Sequence, residues 1–297
     1  MAVIETPRAP ESTLQRRLFF LAKRFVAGEN AGAAMDAIAA LNAAGFFASL
    51  DFLGEDVTDR AAAIDTRDEY FHLLEEIRTR GVESNVSVKL SALGLLIDED
   101  FAVENLSAIC EAARANPDPY VRIDMEGSAV LDATLRVYRR VRARHDNIGI
   151  VLQAYLKRTP EDVEQAIATQ TRVRLCKGAY NESPEIAFKD MPAIRRAYLR
   201  LAEALLTRGT YPGIATHDAR LIEAVKSFAT ERGIAKDRFE FQMLYGVRPA
   251  LQRSLVAAGY RVRIYVPYGS HWAGYFYRRV MERKENALFA LSSILGR

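Results

Sequence analysis

Eight short runs rich in Val, Ile, Phe and Tyr alternate with longer amphipathic segments along this chain, and that alternation leaves few folds open. The runs are FFASLDFL (46–53), NVSVKLS (85–91), YVRIDME (120–126), IGIVLQAY (148–155), RVRLCKGAY (172–180), YPGIATHD (211–218), RFEFQML (238–244) and RVRIYVPYG (261–269). Each is short enough for a parallel strand covered on both faces, which favours near-continuous apolar sequence. The stretches between them carry helix signals. TRDEYFHLLEEIRTRG closes on a basic turn and a glycine, while TPEDVEQAIATQ places Thr159 as N-cap, Pro160 at the first helical position and acids behind it. Eight β/α units predict an α/β protein of the (β/α)8 TIM-barrel type. An open doubly wound sheet is the structural alternative, but no Gly-rich dinucleotide fingerprint or P-loop follows any run.

The 297 residues suit one such barrel with additions. Residues 1–44 read as an N-terminal tail and two helices, the second over about 31–44, and residues 45–297 as the barrel. A last helix, about 272 to 294, closes the chain. Lys and Arg total 41 against 38 Asp and Glu, a net charge of only +3, and no basic run clusters, so nucleic acid is not an expected partner. Two cysteines, Cys110 and Cys176, do not make a disulfide framework and point to a reducing, cytoplasmic compartment. The first residues, MAVIETPRAPEST, lack the pattern of a signal peptide. No run of 18 uncharged apolar residues exists to span a membrane, although peripheral contact with its inner face is compatible with the sequence. The four histidines are scattered, Asp124 and Glu126 are not read as a metal pair, and no G-x-S-x-G or Cys–His arrangement supports a nucleophile.

In this fold the active site lies at the C-terminal strand ends. The second run ends in Lys89, the third in Asp124, Met125 and Glu126, the fourth in Gln153 and Tyr155, and the fifth carries Arg174, then Lys177, Gly178, Ala179 and Tyr180. The sixth ends in Thr216, His217 and Asp218, the seventh holds Glu240, Gln242 and Leu244, and the eighth ends in Tyr265 and Tyr268. A solvated loop residue, an ion-pair partner (Arg174) or a helix N-cap (His217) is the plain reading of each alone. Together they describe a mouth lined by cations, acids, amides and aromatics. Behind it, YVPYGSHWAGYFYRRVMER sets Arg278 and Arg279 after the chain's densest aromatic cluster. Tyr275 precedes the pair by three and four residues, and Glu282 follows by four and three, so both share its side of a helix. Guanidinium groups bind carboxylates bidentately without losing charge, which suits a small molecule with a carboxylate and an apolar body. The chemistry of these residues leaves two reactions open: a lysine Schiff-base aldolase using Lys89 or Lys177, and a cofactor-dependent reaction. A non-catalytic sensor of small carboxylates would also keep the arginines.

NVSVKLS, RIDME, VLQAY, RLCKGAY, ATHD, EFQMLYGVR, YVPYG and YFYRRVMERKEN, in this order over roughly 85 to 290, resemble the proline dehydrogenases, specifically the short monofunctional bacterial form. The resemblance implies a distorted barrel that binds FAD, with the last helix over the mouth. It implies oxidation of L-proline to Δ1-pyrroline-5-carboxylate by hydride transfer to flavin N5, with electrons passed to a membrane quinone and the product to a separate pyrroline-5-carboxylate dehydrogenase. By motif, Arg278, Arg279 and Lys89 match the carboxylate clamp, and Tyr180, Leu244, Tyr265 and Tyr275 the wall around the proline ring. Asp124 matches the active-site aspartate, expected to orient Lys89, and Arg174 the arginine near flavin N5. Met125, Gln153, Lys177, Gly178, Ala179, Thr216 and His217 match flavin contacts, and Glu282 the acid behind the arginine pair, on the cofactor side. Cys176 stands where many relatives have Val, and Asn181 where the long bifunctional relatives often carry Trp. A hydroxyproline dehydrogenase of the same family is the nearest alternative, which the bulk of Tyr265 argues against.

Overall fold

A computed structural model describes residues 22–273 and 275. Eight parallel strands close into a barrel in sequence order, with β1 paired to both β2 and β8. They are β1 Phe47–Phe52, β2 Ser84–Val88, β3 Val121–Ile123, β4 Ile148–Gln153, β5 Val173–Cys176, β6 Gly213–Ala215, β7 Glu240–Leu244 and β8 Val262–Tyr268. Each falls inside one of the eight apolar runs, except that β2 begins one residue earlier. The strands are shorter than the runs because the residues that follow several of them, among them Lys89, Asp124 and Lys177, leave the sheet and form the mouth.

Among the described residues eight α-helices accompany them: α1 Ala31–Ala43, α2 Arg60–Arg80, α3 Glu99–Ala113, α4 Ser128–Arg142, α5 Thr159–Ala168, α6 Met191–Arg208, α7 Ala219–Glu231 and α8 Pro249–Ala257. Local chemistry sets their ends. Asp59 caps α2 by accepting from the Ala62 amide, and Gly81 closes it at φ 63°, a left-handed conformation that costs a residue with Cβ more than glycine. The expected cap of α5 moves by one residue. Arg158 takes the N-cap position because the Thr159 hydroxyl donates to the Gln153 carbonyl (2.6 Å), tying the helix to the end of β4 instead. His217 does not cap α7; Asp218 does, accepting from the Arg220 amide.

Strand and helix residues form one continuous core that reaches from Met35 and Ile38 of α1 to Tyr268 of β8, so α1 is packed onto the barrel. A second, smaller cluster unites Ala22, Phe25 and Val26 with Leu53, Trp272 and Tyr275. No described helix is long and apolar enough to cross a membrane. The segment beyond residue 275, with the expected last helix and Arg278, Arg279 and Glu282, lies outside the described residues.

Candidate active site

The inside of this barrel is polar. Side chains alternate across a strand, so Ser49 and Asp51 of β1 share one face, as do Glu240 and Gln242 of β7 and Arg263 and Tyr265 of β8. Contacts across the barrel show that this is the inner face. Arg174 of β5 reaches Ser49 on the opposite wall, Nη2 to Oγ 3.3 Å. Its Nη1 donates to Asp124 Oδ1 at 2.7 Å, and its Nε donates to Gln242 Oε1. The other oxygen of Asp124 accepts from the Tyr265 hydroxyl at 2.7 Å. Tyr265 also lies 3.4 Å from Lys89 Nζ, which donates to both oxygens of Asp51 at 3.0 and 2.9 Å.

Two cations and two carboxylates thus balance around one phenol, with Arg174 5.3 Å from the centre of the Tyr265 ring. Asp51 is fully buried and Lys89 nearly so. Burial opposes the ammonium charge of Lys89, but Asp51 and Asp124 outweigh it and hold its pKa above the ordinary value. Burial pushes the Asp51 carboxyl up while Lys89 pulls against it. Burial and the neighbouring carboxylates raise the Tyr265 hydroxyl far above its usual range, so it stays a phenol and a donor. Glu126 turns away from this group and accepts from the Ser91 amide (3.0 Å) and hydroxyl.

On the β4–β6 side a second set gathers. Gln153 donates through Nε2 to the Met125 and Glu126 carbonyls (3.3 and 2.9 Å), which fixes its amide. Its Oε1 is buried and accepts from none of the described residues. Lys177 and Arg195 each contact Asp218 Oδ2 at 2.7 Å. Burial works to raise the Asp218 carboxyl, and the two cations overcome it, bringing it down to about 2. His217 Nε2 accepts from the Leu244 amide at 2.8 Å. Gly178 sits at φ 111° against the face of Tyr155, where a Cβ would come within 2.2 Å of the ring.

Aromatic residues close the β8 side. Trp272 and Tyr275 are buried with Leu53 and Phe25, and Tyr265 packs against them. Gly246, at φ 70°, admits this layer: a Cβ there would stand 1.7 Å from the Arg24 carbonyl oxygen.

The family model described as proline dehydrogenase matches residues 34–291. The chain belongs to the proline dehydrogenase family. Proline dehydrogenase 1 of Bacillus subtilis (strain 168) is 39% identical across 92% of this chain and 90% of its own length. Proline dehydrogenase of Deinococcus radiodurans is 38% identical across 99% and 96%. Among solved structures, proline utilization A from Bdellovibrio bacteriovorus inactivated by N-propargylglycine superposes with a TM-score of 0.84 at 25% identity. That match covers 92% of this chain and 34% of that one, so this chain spans about a third of its length. The closed barrel is the fold of this family, and the chain is an oxidoreductase of the proline dehydrogenase type.

Of the residues singled out from the family's motifs, Lys89, Asp124, Arg174 and Tyr265 come together in one network, with Tyr275 in the aromatic layer beside it. Met125, Gln153, Lys177, Gly178, Ala179, Thr216 and His217 lie in and just beyond the ends of β3 to β6, with Tyr180 next to Gly127 and Leu244 at the end of β7. The expected pairing of Asp124 with Lys89 is present but is the longer of two. Asp124 forms an ion pair with Lys89 at 3.8 Å, and Asp51 is the closer acid at 2.9 Å. Asp124 spends its oxygens on Arg174 and Tyr265. The sequence analysis does not assign Asp51, although a lone acid inside the run FFASLDFL, like Arg174 inside RVRLCKGAY, is a signal for a buried ion pair. Asp218 was seen at a strand end but not as the partner of Lys177.

Proposed function

We propose that this chain oxidises L-proline to Δ1-pyrroline-5-carboxylate with FAD as its cofactor, and that the electrons pass to a membrane quinone. Membership of the family supports the reaction. The observation that carries it in this chain is the Asp51–Lys89–Tyr265–Asp124–Arg174 network at the C-terminal strand ends. The β4–β6 residues fit a flavin dinucleotide. Gln153 offers a fixed, unsatisfied acceptor, Gly178 leaves backbone room that a side chain would fill, and Lys177 supplies a cation. FAD, when bound, accepts the hydride from the substrate ring. The protein's part is placement: Arg278, Arg279 and Lys89 are the expected carboxylate clamp, and charge-assisted pairs of that kind are strong and directional. Tyr265 and Tyr275 supply an apolar wall that excludes water. Arg174, held by Asp124 and Gln242, keeps a fixed positive charge beside the reacting centre.

A lysine Schiff-base reaction fits less well. It requires a neutral amine, and Asp51 holds Lys89 as the ammonium. The product's further oxidation falls to a separate dehydrogenase in this reading, and contact with a quinone requires peripheral approach to a membrane. The test is the visible spectrum of the purified protein before and after anaerobic L-proline. A band near ~450 nm that bleaches with proline is expected for a flavoprotein of this activity. A protein that stays colourless after incubation with FAD overturns the reading.

A further inference from the structure

The polar contacts of the mouth do not stop at Arg174. Below it, Gln242 Nε2 donates to Glu240 Oε1 at 2.5 Å, and the same oxygen accepts from Arg263 Nε at 2.7 Å. Arg263 in turn bonds the Ala48 carbonyl (2.7 Å) and pairs with Asp118 (2.9 Å). Glu240, Gln242, Arg174 and Arg263 are each more than nine-tenths buried. A ladder of hydrogen bonds therefore runs inside the barrel from Asp118, ahead of β3, to Asp124 at the mouth.

Its middle rung decides an orientation. An amide can present either oxygen or nitrogen to a neighbour, and a guanidinium needs the oxygen. Burial works to raise the Glu240 carboxyl, and Arg263 overcomes it and brings it below its usual range, so Glu240 stays an acceptor. It thereby claims the NH2 of Gln242, which leaves Oε1 for Arg174 Nε. Packing holds the same side chain in place. A Cβ on Gly213 would meet Gln242 Nε2 at 2.4 Å and its Cδ at 2.8 Å, so β6 presses directly on this side chain.

We infer that Gln242, oriented by Glu240 and wedged against Gly213, is the positioning residue that aims the Arg174 guanidinium at Asp124. The inference rests on the proposed function for Arg174's role beside the flavin, but the orientation itself does not. Gln242→Leu removes both hydrogen bonds at similar volume. Gly213→Ala removes no polar group and displaces only the amide end of the glutamine side chain.

Two readouts separate the questions. The first is hydrogen exchange of the Arg174 Nε–H, followed by NMR on arginine-labelled protein without flavin. Slow exchange in the parent chain and faster exchange in both variants is expected, and unchanged exchange in Gln242→Leu overturns the inference. The second, on the flavin-loaded protein, is the rate of anaerobic bleaching as a function of proline concentration, together with the flavin potential. Losing the aim of one preorganised charge should slow bleaching at saturating proline by about tenfold or more, with half-saturation nearly unchanged and a more negative potential. Faster exchange with unaltered bleaching and potential overturns the catalytic importance of the orientation. If the parent chain takes up no flavin, the cofactor reading fails and the exchange result alone decides the inference.

Discussion

Taking an ammonium and a carboxylate out of water costs several kcal/mol for each ion, and only close, saturated geometry offsets that cost. Lys89 and Asp51 have such geometry, so the damage comes from removing one partner alone. Asp51→Ala should destabilise the fold by about 3–5 kcal/mol, read from urea denaturation. The double replacement Asp51→Leu with Lys89→Met should lose less than that single change, because no charge is left buried. A double variant as unstable as Asp51→Ala would show that packing, not charge, sets the cost. In the proposed function, Tyr265 is the residue that limits the substrate. Its hydroxyl is held by Asp124 and its ring packs in the aromatic layer, leaving little freedom to make room for a hydroxyl on the proline ring. Tyr265→Ser should raise kcat/KM for 4-hydroxyproline relative to L-proline, and an unchanged ratio would refute the packing. Asp51 was not legible in the sequence because its partner is 38 residues away. Only the β1–β2 register, which sets Asp51 opposite Ser87, brings Lys89 within reach.

Elements were more legible than their ends. Buried parallel strands announce themselves as β-rich runs, and all eight stood where those runs lie, although several, such as FASLDF and EFQML, carry polar residues at alternate positions toward the barrel interior. Strand ends were overestimated where the runs extend through KLS, DME and KGAY, whose residues leave the ladder to build the mouth. The caps that shifted did so for tertiary reasons, Thr159 being drawn to β4 and the α7 cap falling to Asp218. That aspartate joins three elements: it caps α7, holds Lys177 beyond β5 and pairs with Arg195 of α6. Its folded pKa of about 2 lies below the ordinary 3.8, so its stabilisation is complete above 3.8 and is lost as pH falls through about 2. Asp218→Asn, which keeps an acceptor for the cap, should be less stable than the parent at neutral pH. The gap should close between pH 3.8 and about 2, as followed by denaturation across that window. A gap independent of pH would mean that the lost charge is not its cause. Gly178→Ala meets both a left-handed φ of 111° and the Tyr155 ring, so it should distort the β5 loop and lower flavin content after purification while the far-UV spectrum is retained.

At the scale of the whole molecule, one large core holds strands and helices, and a separate small cluster ties residues 22–26 to the chain beyond β8. The arginines that the sequence made most conspicuous lie past the described residues. Of the aromatics in front of them, Trp272 and Tyr275 pack with Phe25, Leu53 and Tyr265, contacts that composition alone does not reveal. Local opening free energy follows the number of buried apolar contacts, so a small satellite cluster should open before the barrel does. The chain's single tryptophan, Trp272, sits inside that cluster at 3% exposure and reports on it alone. Urea titration followed by tryptophan emission should therefore turn at a lower concentration than titration followed by far-UV circular dichroism, which the barrel and its helices dominate. Two-state unfolding requires the two curves to coincide. Separation of the curves would establish the layer over β1 and β8 as a unit that opens while the barrel, with its buried ladder from Asp118 to Asp124, stays closed. Coincidence would make the cluster part of the cooperative core, and opening of the aromatic side of the mouth would then require unfolding of the barrel itself.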